Sequence, residues 1–235
     1  MPRNSVGIDF SIKTILVLDL GTARLGGVYW MRDTDREQEI EHWGPHSIEN
    51  GSLASTSIYY LPEHRRGDWN ERKFLWGAET DLERETVEHE FDVNRLVEYW
   101  KPGLHQTEVT NEYREDLQQK SRYIFGSSNP LGIKRFAFDF FDAILDFLLN
   151  LKTGYFVRKF RSSQPFDTTG VLLVMTMPSG WPEDEYTIFQ QAADKYNLQS
   201  LKMLPESDSM ARSWLRGGGM RGWTNFQVRF NPLYF

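Results

Sequence analysis

ILVLDLGTARLGGVYW, residues 15–30, decides how this chain is read. ILVLDL (15–20) is apolar and β-branched at Ile15 and Val17, which suits a strand, and Gly21 stops it. The apolar run resumes as GGVYWM (26–31), and the interval Gly21 to Leu25 is short enough for an antiparallel hairpin with a small loop. The corner Asp19-Leu20-Gly21-Thr22-Ala23 has two readings. Taken alone, it is first an ordinary strand-to-turn exit. The second reading is a phosphate turn, in which Asp19 at the strand end holds a hydrated magnesium ion. The backbone N–H groups of Gly21, Thr22 and Ala23 then face phosphate oxygens, because glycine permits close approach.

Outward from this hairpin the pattern alternates between strands and helices. MRDTDREQEIEHW (31–43) is polar and reads as exposed, and SLASTSIYYLP (52–62) reads as one strand closed by Pro62. EHRRGDWNERK (63–73) is a charged turn or loop, and FLWGAE (74–79) is a short strand that breaks at Gly77. Residues 79–99 read as a helix, and 101–132 allow a short helix between Pro, Gly and Asn signals. The segment 133–160 is the strongest helix, with apolar residues on more than one face, so burial on two sides is expected. GVLLVMTMP (170–178) has the nearly continuous apolar run of a central strand covered on both faces.

SGWPEDEYTIFQQAADKYNL (179–198) turns from that strand into a helix. Pro182 suits its first turn, Glu183, Asp184 and Glu185 complement the positive end of the dipole, and Asn197 stops it. LKML (201–204) is a short strand and ESDSMARSWL (206–215) opens another helix. Residues 1–13 read as a disordered lead-in and 216–235 as an irregular tail without periodicity. Glu206 is a first-turn glutamate favoured by the helix dipole, or a carboxylate opposite Asp19 that shares a metal or orients a water.

Composition narrows the classes. The chain has 235 residues, 40% of them hydrophobic, enough for a sizeable core. A formal charge of −6 argues against a nucleic-acid partner, since phosphate backbones are bound by basic surfaces. No cysteine is present, so disulfides, thiolate nucleophiles and cysteine metal sites are excluded. No signal-peptide core and no membrane-length apolar run is visible, which gives the expectation of a soluble, cytoplasmic protein without a membrane partner. The histidines lack zinc spacing, Ser179 lacks a Gly-x-Ser-x-Gly frame, and Gly217-Gly218-Gly219 reads as a flexible loop.

Placed in order, three segments resemble the nucleotide-binding domain of the DnaK-type heat-shock chaperones, in the actin-like ATPase superfamily, and most of all its divergent fungal branch. ILVLDLGTARLGGVYW is similar to that family's first phosphate motif. TGVLLVMTMPSGWPEDEYTIFQQAADKYNL is similar to its Val-Pro-Ala-x-Trp strand and Ala-Ala helix, and LPESDSMARSWL stands where it has a Glu-Pro-x-Ala-Ala-Ala helix start. FLWGAE resembles its Gly-x-x-Ala element. The resemblance implies an α/β fold, an actin-like (ribonuclease-H-like) first lobe over 14–215 with a mixed sheet and flanking helices. It implies ATP or ADP with magnesium as cofactor and a protein client or partner. Asp19 would contact the hydrated metal, Gly21, Thr22 and Ala23 would line the phosphates, and Glu206 would help hold the metal through water.

The departures set the expected activity. The family's lysine after Gly-x-x-Ala is missing, since Glu79 and Thr80 follow Ala78. The second phosphate motif, Asp-x-Gly-Gly-Gly-Thr, does not appear in these residues. The expectation is therefore a truncated, divergent chaperone-type ATP-binding protein with weak or no ATP hydrolysis, and no residue is assigned a catalytic role. The alternatives are a pseudo-ATPase protein-interaction module and, ranked lower, a sugar-kinase-like member of the superfamily.

Overall fold

The computed structural model describes residues 11–43, 53–62, 74–86, 90–104, 110–161, 166–178, 181, 183–198 and 200–206. In chain order the strands are β1 (Thr14–Leu20), β2 (Arg24–Met31), β3 (Arg36–Glu39), β4 (Leu53–Ser55), β5 (Ile58–Tyr60) and β6 (Phe74–Trp76). Helix α1 (Ala78–Thr86) and strand β7 (Leu96–Val97) follow, then helices α2 (Trp100–Leu104), α3 (Asn111–Phe125), α4 (Lys134–Leu149) and α5 (Tyr155–Phe160). The described part closes with β8 (Val171–Met177), α6 (Glu183–Asp194) and β9 (Ser200–Pro205).

The fold is α/β with a mixed sheet. β1 and β2 form the expected antiparallel hairpin, in register from Thr14↔Met31 to Leu20↔Leu25. β3 extends it as an antiparallel edge, and β4 pairs with the other end of β2. On the far side of β1, β8 runs parallel to it and β9 runs parallel to β8, so the order is β3-β2-β1-β8-β9. β8 is central and buried along its whole length, as its unbroken apolar run implies. A second, antiparallel sheet has the order β6-β5-β7.

Side-chain alternation divides the main sheet into two faces. Leu16, Leu18 and Leu20 of β1 and Leu173, Met175 and Met177 of β8 enter the large core with α4 and α6. Ile15, Val17, Leu172 and Val174 make a separate cluster, with Val28, Trp30 and Leu204 against it. The two-sided burial expected of α4 has a plain cause. Phe141 packs edge-on to Phe189 of α6, while Phe140 packs against Trp76 of β6 and Trp100 of α2. A polar bolt joins α4 to the small sheet: the Tyr60 hydroxyl donates to Asp139 Oδ2 at 3.0 Å, and Arg135 Nε donates to Oδ1 at 2.7 Å. Burial pushes the Asp139 carboxyl up despite Arg135, and burial beside Asp139 pushes the Tyr60 phenol well above its ordinary range.

Several sequence expectations change. The helix expected over 79–99 stops at Thr86; Asp92 accepts the Asn94 N–H at 3.0 Å and opens a 3-10 turn, Val93–Arg95, that leads into β7. The single strand over 52–62 is two, β4 and β5, which serve different sheets. The polar stretch 31–43 contains the edge strand β3, where Gln38 accepts the Tyr29 hydroxyl at 2.6 Å; polar residues suit an edge that faces solvent. The region 101–132 holds the fifteen-residue α3 rather than a short helix. The long helix expected over 133–160 breaks after Leu149. Asn150 Oδ1 accepts the N–H groups of Lys152 and Thr153, and a Cβ on Gly154 would sit 2.6 Å from the Asn150 carbonyl oxygen.

The lead-in before residue 11, the charged loop 63–73, Ser179, Pro182, all but the first residue of the helix expected over 206–215, and the tail 216–235 lie outside the described residues. No described helix is long and apolar enough to cross a membrane.

Candidate functional site at the carboxyl ends of the parallel strands

β1, β8 and β9 are parallel and end on the same side of the sheet. In parallel α/β sheets that side carries the ligand crevice, because the strand ends and the turns leaving them present backbone groups and side chains together. Asp19 is paired in register with Thr176, one residue before the end of each strand. Alternation puts Asp19 on the face of Ile15 and Val17, and Thr176 on the face of Leu172 and Val174. The Thr176 hydroxyl donates to Asp19 Oδ1, so one carboxylate oxygen is held while the other remains for a ligand. Glu206 follows the last residue of β9.

The turn after Asp19 is built differently from the expectation. Gly21 donates its N–H to the Arg24 carbonyl at 2.9 Å, which closes the hairpin. A Cβ at Gly21 would lie 2.8 Å from that same oxygen, so the position needs glycine for closure. This N–H, expected to line a phosphate, is here spent on closing the hairpin. Thr22 and Ala23 are exposed. Their carbonyls are both taken by Thr56: its Oγ1 donates to Thr22 O at 2.8 Å and its N–H to Ala23 O at 3.2 Å. Among the described contacts the N–H groups of Thr22 and Ala23 donate to nothing.

Lys101, not among the residues expected from the sequence, reaches the same strand ends. It is buried, and its Nζ donates to the Leu20 carbonyl at the end of β1 and, at 2.7 Å, to Glu206 Oε1. Fully buried lysines are rare without such partners. Its helix is clamped in place. Trp100 Nε1 donates to Thr56 O at 2.9 Å, which ties α2 to the residue that also holds the turn. Arg114 of α3 caps the other end through the carbonyls of Gly103 and Leu104, at 2.9 and 3.1 Å. A Cβ on Gly103 would meet Leu117 Cδ1 at 2.3 Å, so glycine lets α2 lie close against α3. The signal in the sequence was WKPGL, a lone lysine between tryptophan and Pro-Gly. Nothing local in it points to residue 20 or 206.

Four of the five expected site residues, Asp19, Gly21, Thr22 and Ala23, are consecutive or nearly so, and Lys101 links Glu206 to the Leu20 carbonyl between Asp19 and Gly21. Thr80, which follows Glu79 at the start of α1, donates to Gly77 O at 2.7 Å and shares a 2.6 Å hydrogen bond with the Ser57 hydroxyl. The donor set suits an anion better than a metal. It offers an ammonium and two exposed amides, whereas no three His, Asp or Glu side chains among the described residues cluster to hold a metal ion. Asp19 Oδ1 accepts from Thr176, and Glu206 Oε1 is engaged by Lys101.

No family model matches the chain, and no curated protein is similar to it at a significant level.

Proposed function

We propose that this chain carries a divergent nucleotide-binding lobe of the actin-like ATPase type, related to the DnaK-type chaperones, that binds the phosphates of ATP or ADP weakly and hydrolyses ATP slowly or not at all. The observation that carries this reading is the meeting of Lys101 with the Asp19–Ala23 turn at the carboxyl ends of the parallel strands. A hairpin continued by two parallel strands, with the candidate phosphate turn inside the hairpin, supports the lobe assignment. Magnesium bound with the nucleotide would be contacted by Asp19 through water, and the ion would supply charge neutralisation at the phosphates. Phosphoryl transfer depends on positioning and on preorganised charge, and among the described residues the positioning groups lie at the carboxyl ends of β1, β8 and β9. A ligand held from one side stays partly hydrated and gains little affinity.

Titrating isotope-labelled protein with Mg-ATP checks this by NMR. The expected result is saturable, millimolar-range binding that shifts the resonances of Asp19, Thr22 and Ala23 and is weakened by Asp19→Ala. Shifts confined to other surfaces would overturn the nucleotide reading, and micromolar or tighter affinity of this polypeptide would overturn its weakness.

A further inference from the structure

We propose that the carboxyl end of α5 is a docking surface for an acidic peptide segment of a partner protein. Its carboxylates pair with Arg158, Lys159 and Arg161, and an apolar side chain packs on Phe160. The inference does not depend on the nucleotide reading. The chain carries a formal charge of −6, yet residues 147–166 hold no Asp or Glu and include the cations Lys152, Arg158, Lys159 and Arg161. Surface charge acts over a Debye length of about 8–10 Å, so a cationic island attracts an anionic segment even on an anionic protein.

Three of these cations are held together by the backbone. Arg158 and Lys159 belong to the last turn of α5, and Arg161 folds back onto it with φ 48°, its N–H donating to the Arg158 carbonyl at 3.3 Å. All three are exposed, and among the described contacts none of them meets a carboxylate. The Arg158 guanidinium lies over the Phe147 ring, 5.3 Å from its centroid. A guanidinium stacked in this way keeps its in-plane N–H donors for a carboxylate. Phe160 is stacked on Phe156 at 6.1 Å and still 39% exposed, so an anchored apolar surface stands beside the cations. Cations at a helix carboxyl end also favour its dipole, but that effect fades within the last turn and leaves Arg161 unexplained.

The neighbourhood favours a short segment over an extended anion. Phe160 packs against Tyr29 of β2 at 6.3 Å, and the edge strand β3 beside β2 exposes Glu37 and Glu39. Burial pushes the Tyr29 phenol up to about 12, with Tyr155 and then Glu41 adding to it, so the Glu41 charge also reaches this corner. A lipid surface or a nucleic acid is broad and negative throughout, and it meets these carboxylates as well as the cations. A short acidic segment lies on the cations alone.

Fluorescence anisotropy tests this with a fluorescein-tagged peptide of glutamates around a single phenylalanine, at low and at physiological salt. The wild-type chain is expected to bind it saturably, and more weakly as salt is added. Lys159→Glu combined with Arg161→Glu is expected to weaken binding about tenfold. Arg122→Glu reverses an exposed charge on α3 and is expected to change it less than about twofold. These three side chains are exposed, so the variants keep the fold and the comparison stays readable. No binding to the wild-type chain, binding unmoved by the double variant, or an equal loss in Arg122→Glu overturns the docking surface. Equal binding of the same peptide with glutamine in place of glutamate also overturns it. Preference for vesicles of phosphatidylserine and phosphatidylcholine over the peptide overturns it in favour of a lipid surface.

Discussion

The parallel strands carry a lysine–carboxylate pair at each end, and the two pairs are nearly identical in length and opposite in character. At the amino end, Lys13 Nζ meets Asp167 Oδ2 at 2.6 Å with side chains 65% and 46% exposed. At the carboxyl end, Lys101 meets Glu206 at 2.7 Å with the lysine sealed in. The first pair reinforces a backbone bond, Lys13 N–H to Gly170 O at 2.8 Å, that already aligns β1 with β8. The second places a cation where the strands stop. Distance alone does not tell them apart. Burial does, because water and salt screen the exposed charges and leave the enclosed one in force.

Removing each lysine is the direct way to break this comparison. Lys101→Ala is expected to cost about 3 kcal/mol, because it opens a cavity beside α2 and strips the buried Leu20 carbonyl of its donor. Urea unfolding measures it, and a loss below about 1 kcal/mol would make the two ends alike. Gly21→Ala is expected to cost about 1–2 kcal/mol, since the new Cβ meets the Arg24 oxygen and the hairpin must open. The same denaturation series reads it, and the accompanying shift in the Thr56 N–H resonance shows whether the turn has moved.

Lys13→Ala sits at the other extreme, with an expected loss of about 0.5 kcal/mol that shrinks as salt is added. Its pH dependence has a definite sign. The Lys13 ammonium and then the Thr169 hydroxyl hold the Asp167 carboxyl down to about 2, from an ordinary value of 3.8. A depressed carboxyl stabilises the fold above its unfolded value and stops doing so as pH falls through its folded one. The stability gap between wild type and Lys13→Ala is therefore expected to stay level from neutral pH to about 4 and to close towards about 2. Thermal unfolding across that range checks it, and a gap that widens on acidification contradicts the pairing.

The contrast also shows why some elements were legible in the sequence and others were not. β1, β8, the start of α4 and α6 carry their pattern within a dozen residues, as β-branching, unbroken apolar runs or helical spacing. β3, β5 and β7 are two to four residues long, and they are strands because a neighbour pairs with them. Thr56 and Ser57 look like strand residues in SLASTSIYYLP, yet they are spent on Thr22, Ala23 and Thr80 in other parts of the chain. Asp19 and its turn were visible as a candidate corner. The commitment of the Gly21 N–H to the hairpin was not, since it depends on how the turn closes.

What the sequence by itself determined is the hairpin around Asp19-Leu20-Gly21-Thr22, the central strand that follows 150 residues later, and the buried helix between them, because each is written in a local period of apolar residues. What only the tertiary structure decided is which charge stands at that corner. Lys101 lies 81 positions from Leu20 and 105 from Glu206, and no local pattern spans such separations. It reaches the strand ends because α2 is pinned between Thr56 and α3. Packing, not propensity, put a cation beside the turn.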